Sequence, residues 1–274
     1  MDGSLTMNDD EKEIMKVGAE AAIQPLANLI KKLNGGAGEQ IGGILTDEIA
    51  ARRQIRRMYL FKKVQQAIEN AGFEPQRIPD NIWAPILQEA SLQEDETLQD
   101  IWANLLANAA DPRRATPVLP SFSSILREFT SREARLLDFV YEKRSNDPRR
   151  RVPINFTIRA DFKFTRNDLL SAYVEAGLSR RPQLIGLNVA QWKEGGNDLQ
   201  SDLSEFGATI DVLVRNEILR ELVTPNPIDL SEIVDKVNKG QLPRALEATT
   251  TTRYEITDLG TRFVKACKAP IPTQ

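Results

Sequence analysis

The sequence predicts a mainly α fold: an N-terminal helical domain with a long basic helix, followed by a C-terminal α+β winged-helix-like domain. Three observations predict it. Apolar residues recur at spacings of three and four through most of residues 1–147. From Val152 to Phe164 the pattern changes to apolar/polar alternation, the period of a half-buried strand. The chain then closes on Arg253-Tyr254-Glu255-Ile256 followed by the helix-like DLGTRFVKAC, the order of a wing strand and a closing helix. The change of pattern at DPRRR places the domain boundary at Asp147, giving a helical domain over 1–147 and a winged-helix-like domain over 148–274.

Taken in order, Ile14, Val17, Ala21, Ala22, Leu26, Leu29, Ile30 and Leu33 follow a helical period, with Pro25 expected to kink or divide that helix. The next piece, NGGAGEQIGG, holds Gly35, Gly36, Gly38, Gly42 and Gly43, and reads as a hinge or a place of close helix approach. A long helix from Glu39 to Ala71 then ends at Gly72. If continuous it spans about 50 Å at 1.5 Å per residue. Its stretch RRQIRRMYLFKK carries Arg52, Arg53, Arg56, Arg57, Lys62 and Lys63 without an acid between them. The four arginines fall on one flank, with Ile41, Ile44, Ile55, Met58 and Tyr59 expected opposite.

A helix over Asn81 to Ala90 places Ile82, Trp83, Ile86 and Leu87 together, and another carries Leu98, Ile101, Trp102, Leu105, Leu106 and Ala109 behind an acidic turn. Both tryptophans are expected in the core. DPRRATPVLP reads as a connection, after which Ser131 caps REARLLDFVYEKR. Beyond the alternating segment come a helix near Asn167 to Ala176, a stretch QLIGLNVAQW readable as strand or helix, and a helix from about Leu203 to Arg215. A proline-rich loop with a short helix near Ser231 to Val237 follows. Thr257 caps the last helix.

Composition narrows the chemistry. The 274 residues contain no histidine and one cysteine, Cys267, at a formal net charge of −3. That removes Ser–His and Cys–His catalysis, histidine-ligated zinc, cysteine-based zinc clusters and an internal disulfide framework. The start, MDGSLTMNDDEKE, is acidic and polar, unlike a signal peptide, and no apolar run approaches the roughly 20 residues of a membrane span. A cytoplasmic location is expected, with peripheral contact at the inner membrane as a further option. No phosphate-loop pattern occurs, and no cofactor is expected.

The candidate sites are therefore surfaces. Arg52, Arg53, Arg56, Arg57, Lys62 and Lys63 form either a phosphate- or partner-binding strip or a solvated face paired with Asp47, Glu48 and Glu69. The acids Glu94, Asp95, Glu96 and Asp100 read as helix-start electrostatics rather than a metal site, and no metal is expected. In the C-terminal domain Arg215, Arg244, Arg253 and Arg262 are possible contacts to nucleic-acid phosphates. The presumed recognition helix GATIDVLVRNEI offers few side chains able to read base edges, which favours a protein partner or self-association over nucleic acid.

Three stretches together carry a resemblance: QPLANLI with IGGILTDEI and its arginine-rich helix, PILQEASLQEDETLQDIWANLLANAAD, and FTSREARLLDF with YEITDLGTRFVKAC. In this order the chain resembles the bacterial Abi-alpha family, named for abortive infection. The resemblance implies a role in bacteriophage defence, in which an infected cell stops growing before new phage emerge. On that basis the chain is expected to be a non-enzymatic, toxin-like effector or a sensor, acting through rearrangement of its N-terminal helices on a membrane or protein partner. The alternative is a winged-helix DNA-binding transcriptional regulator.

Overall fold

A computed structural model describes residues 26, 28–33, 48–146, 163–180, 197–225 and 250–273. In chain order the elements are α1 (Glu48–Ala71), α2 (Asp80–Ala90), α3 (Glu96–Ala109), α4 (Ser121–Arg127), α5 (Ser131–Ser145), β1 (Phe164–Thr165), α6 (Arg166–Glu175), α7 (Asn197–Arg215), β2 (Leu219–Pro225), β3 (Thr250–Ile256) and α8 (Asp258–Cys267). The fold is mainly helical with a small antiparallel sheet in the C-terminal part, as the periodicities predict. Two compact units form: residues 1–134 with 261–274, and residues 135–260. The boundary expected at Asp147, the glycine-rich hinge, the strand residues before Lys163, QLIGLNVAQW and the short helix near Ser231 lie outside the described residues.

In the first unit, α1 packs on α3, and α2 packs on α3 and α4. Periodicity gives α1 its buried stripe of Leu60, Phe61, Val64, Ile68 and Ala71, with Tyr59 buried beside it. Trp83 of α2 stacks on Phe61 at 5.6 Å between ring centroids. Trp102 of α3 is 1 % exposed, so both tryptophans lie in the core as expected. Phe122 and Phe129 meet Phe263 edge-on, each at 5.4 Å, an arrangement that aligns ring edge with ring face. Helical residues 28–33 add Leu29, Ile30 and Leu33 to the buried set.

The helix ends follow local chemistry. Asp95 accepts a hydrogen bond from the Leu98 amide at 3.0 Å and so caps α3. At α5 the cap falls one residue earlier than Ser131. The Thr130 hydroxyl accepts from the Arg132 amide, and the Glu133 carboxylate reaches back to the Thr130 amide. Ser131 instead donates its hydroxyl to Asp95, tying the starts of α3 and α5 together. Gly72 ends α1 at φ 68°, a left-handed conformation that glycine adopts without a Cβ clash.

In the second unit the sheet order is β1-β3-β2, both pairings antiparallel, with Phe164 opposite Tyr254 and Leu219 opposite Ile256. Thr165 and Asp168 form a capping box that starts α6. Phe206, Ile210 and Leu213 give α7 its buried stripe, and Tyr173 of α6 meets Phe206 edge-on at 5.5 Å. Among the described residues the helix–strand–helix–helix–strand–strand order and this sheet order fit the winged-helix-like expectation.

Two turns in this unit share one geometry and differ in residue. After α6 the amides of Gly177 and Leu178 return to the carbonyls of Val174 and Tyr173, with Gly177 at φ 71°. After α7 the amides of Glu217 and Ile218 return to Val214 and Leu213, with Glu217 at φ 57°. Both are Schellman turns, and the second places a non-glycine residue where a Cβ is strained. Thr257 then caps α8 as expected, accepting from the Gly260 amide at 2.9 Å. At Gly260 the helix comes so close to the Ile218 backbone that an added Cβ would lie 2.4 Å from the Ile218 carbonyl oxygen.

These contacts set two stability expectations. Gly260→Ala forces that approach apart and lowers unfolding stability by about 1–3 kcal/mol. Glu217→Gly relieves the left-handed strain and raises it by up to about 1 kcal/mol. Urea unfolding midpoints of the two variants, read against the parent chain, check both signs.

Candidate functional site

The basic strip sits on α1, and burial along that helix decides what it presents. Arg52 and Arg53 are exposed, whereas Arg56, Arg57, Lys62 and Lys63 are half-buried. The buried stripe of Leu60, Phe61, Val64 and Ile68 lies three, four, seven and eleven residues beyond Arg57, and so on the same helix face. The apolar seam therefore does not lie opposite Arg53 and Arg57 along the whole helix. In the second half of α1 it continues their line, while Ile55 and Met58 are only half-buried. Arg57 stands at the top of the core stripe, its Nε buried without a hydrogen-bond acceptor.

The acids that meet this strip come from the start of α3. Arg56 donates to Glu94 at 2.5 Å. Lys63 donates to Asp100, lies 4.0 Å from Glu96, and stands over the Tyr59 ring at 4.7 Å. Burial pulls the Lys63 pKa down, but the hydrogen bond and charge of Asp100, with Tyr59, outweigh it and hold the ammonium above its ordinary range. The acidic run thus serves as counter-charge and, through Asp95, as helix cap. No group of three or more metal-ligating side chains occurs among the described residues.

The remaining predicted residues disperse. Arg215 is exposed at the end of α7, and Arg253 is exposed on β3 opposite Leu222. Arg262 belongs to the first unit, half-buried on α8 with its Nε enclosed and unbonded. Arg244 and the glycines Gly35, Gly36, Gly38, Gly42 and Gly43 lie outside the described residues. No described helix is long and apolar enough to cross a membrane.

Sequence reasoning missed a second polar cluster, at the end of α3. Buried Asn108 donates its amide to the carbonyls of Ala266 and Lys268, at 2.9 and 2.7 Å, and accepts from Arg114. Asp111 holds Arg113 through two parallel hydrogen bonds of 2.9 Å. Burial raises the Asp111 pKa and Arg113 lowers it more strongly, leaving the carboxylate below its ordinary range. Arg114 also reaches the Lys265 carbonyl at 3.3 Å, so this cluster satisfies carbonyls at the end of α8 that the helix itself leaves open. The thiol of Cys267 beside it is pushed far above its usual range by burial, against the opposing charge of Arg114. The only sequence signal was the compact polar run NAADPRR.

A protein-family model described as Abortive infection alpha matches residues 52–267. That range takes in both the basic strip and the cluster at the end of α3. No curated protein and no solved structure matches the chain.

A double-mutant cycle over Lys63→Gln and Asp100→Asn measures the main ion pair of the strip. Because Asp100 is more than half exposed, the coupling is expected at about 1 kcal/mol or less near neutral pH. The folded-state Lys63 pKa lies above 10.5, so the coupling is fully present below pH 10.5 and lost as pH rises through that raised value. Coupling that persisted unchanged well into that alkaline range would mean that the ammonium charge is not its source.

Proposed function

The chain belongs to the abortive infection alpha family, and from that premise we propose that it serves in abortive-infection defence against bacteriophage as an effector or sensor working by contact. The family match over residues 52–267 carries this reading. The surface that supports a contact role is the N-terminal half of α1. Arg52 and Arg53 stand exposed there, about one turn before Arg56 and about three turns before Lys63. Guanidiniums on adjacent positions of a helix present forked donors to phosphate or carboxylate oxygens. In this proposal the occupant is an acidic face of a protein partner or an anionic membrane surface, engaged after rearrangement of the N-terminal helices. The winged-helix-like unit then acts as a protein-contact or sensing module.

Expression in a phage-sensitive bacterial host tests the role. The expected result is at least about a tenfold fall in plaque yield, with infected cells ceasing growth before lysis, and slowed growth on strong overproduction. Arg52→Glu with Arg53→Glu alters exposed side chains, so the chain should stay folded while protection is lost. Plaque yield unchanged for every phage tried would refute the defence role. Full protection by the folded double variant would remove the strip from the mechanism and leave the family role standing.

A further inference from the structure

Beyond α8 the segment 268–273 runs extended to the C-terminal end of α1. Its attachment is almost entirely polar. Asn108 donates to the Lys268 carbonyl at 2.7 Å, and Arg113 donates to the Ile271 carbonyl at 2.9 Å and to the Thr273 hydroxyl at 2.7 Å. At the far end the Thr273 amide donates to the Ala71 carbonyl at 2.9 Å, and the Thr273 hydroxyl lies 2.8 and 3.0 Å from the carbonyl oxygens of Ala71 and Gly72. Apolar anchoring is slight: Pro270 is buried, while Ala269, Pro272 and Thr273 are exposed and Ile271 is 81 % exposed.

Beneath the strap lies a groove of about 650 Å³ rather than packed core. Lys63, Gln66 and Asn70 of α1 and Asp100 and Asn104 of α3 line it, with Ala269 to Pro272 along its margin. A segment with few buried apolar contacts and exposed hydrogen bonds opens at a small fraction of the global unfolding free energy. One side chain concentrates the attachment. Arg113 makes two of the side-chain bonds to the strap, and Asp111 and the Phe73 ring, 4.7 Å from its guanidinium carbon, fix it in place.

We infer that residues 268–273 are a releasable latch, in which the Asp111-held Arg113 clamps a strap along the margin of the groove between α1 and α3 and pins the last turn of the basic helix. Opening would further uncover Lys63 and Asn104, which are half-buried with the strap in place beside the already exposed Gln66 and Asn70, and would remove the Thr273 contacts from the Ala71 and Gly72 carbonyls. This inference stands on the contacts alone and does not require the defence role.

The latch is tested on the full chain. A Cβ built on Gly72 would lie 3.7 Å from the Thr273 Cβ, close to the separation of about 3.8 Å found in disulfides. Gly72→Cys with Thr273→Cys, in a Cys267→Ala background, should therefore cross-link under mild oxidation. Any cost of a side chain at Gly72 is common to the oxidised and reduced forms. Amide exchange of Thr273 is then read against Leu105 and Leu106 of buried α3. In the parent chain Thr273 should exchange at least about a hundredfold faster than those amides. Arg113→Gln should speed it a further tenfold, roughly, with Leu105 and Leu106 unmoved, and oxidation of the cysteine pair should slow it at least about tenfold. Thr273 protection equal to that of Leu105 and Leu106 would overturn the latch, because the strap would then open only with the whole fold. Failure of the pair to cross-link, with Arg113→Gln leaving Thr273 exchange unchanged, would do the same.

Discussion

The packing of α1 on α3 constrains the rest of the first unit. One face of α1 must bury Leu60, Phe61, Val64 and Ile68, while the same helix carries a run of cations with no acid between Arg52 and Lys63. Burying several apolar side chains at about 1.5–3 kcal/mol each outweighs any exposed ion pair, so the apolar stripe sets how the helix lies. The cations are then placed by default. Arg56 and Lys63 come to rest against Glu94, Glu96 and Asp100 at the start of α3, where acids also suit the helix dipole. One acidic turn therefore serves two purposes: it starts α3 and neutralises part of α1.

This division explains which part of the strip stays on the surface. Along the middle of α1 the charges of Arg56 and Lys63 are met by acids of α3 and its approach, and Arg57 is drawn into the top of the core stripe with its Nε unbonded. Arg52 and Arg53 precede the buried stretch and remain exposed. A buried donor without an acceptor costs about 1–3 kcal/mol, a cost that the packing around Arg57 offsets at its Nε.

Features with local causes were legible in the sequence. Helical spacing gave the buried Trp83 and Trp102, the acidic turn gave the start of α3, and Thr257 just ahead of DLGTRFVKAC gave the cap of α8. Features set by distant partners were not. The α1 stripe was placed only in part: Tyr59 is buried as expected, but Ile55 and Met58 are half-buried, and the Leu60 to Ile68 series that tertiary contact buries was passed over. The Thr130 cap was missed because Ser131 is an equally good capping residue, and only the contact with Asp95 shows that its hydroxyl is engaged elsewhere. DPRRATPVLP reads as an ordinary connection because the Ile271 carbonyl bonded by Arg113 lies 158 positions further along the chain.

The basic helix is thus held differently along its length. Its middle is fixed by burial and by ion pairs to α3, and its last turn by carbonyl contacts from the segment that follows α8. The two restraints differ in kind: the buried stripe yields only when the unit unfolds, whereas a strap resting on Arg113 and Thr273 yields when a few hydrogen bonds exchange with water. Ion pairs at Arg56 and Lys63 weaken with salt but do not release the helix, because the apolar stripe beneath them remains. A change in the position of α1 that leaves the core intact must therefore begin at an end of the helix. Among the described contacts, the C-terminal end has the restraint suited to letting go first.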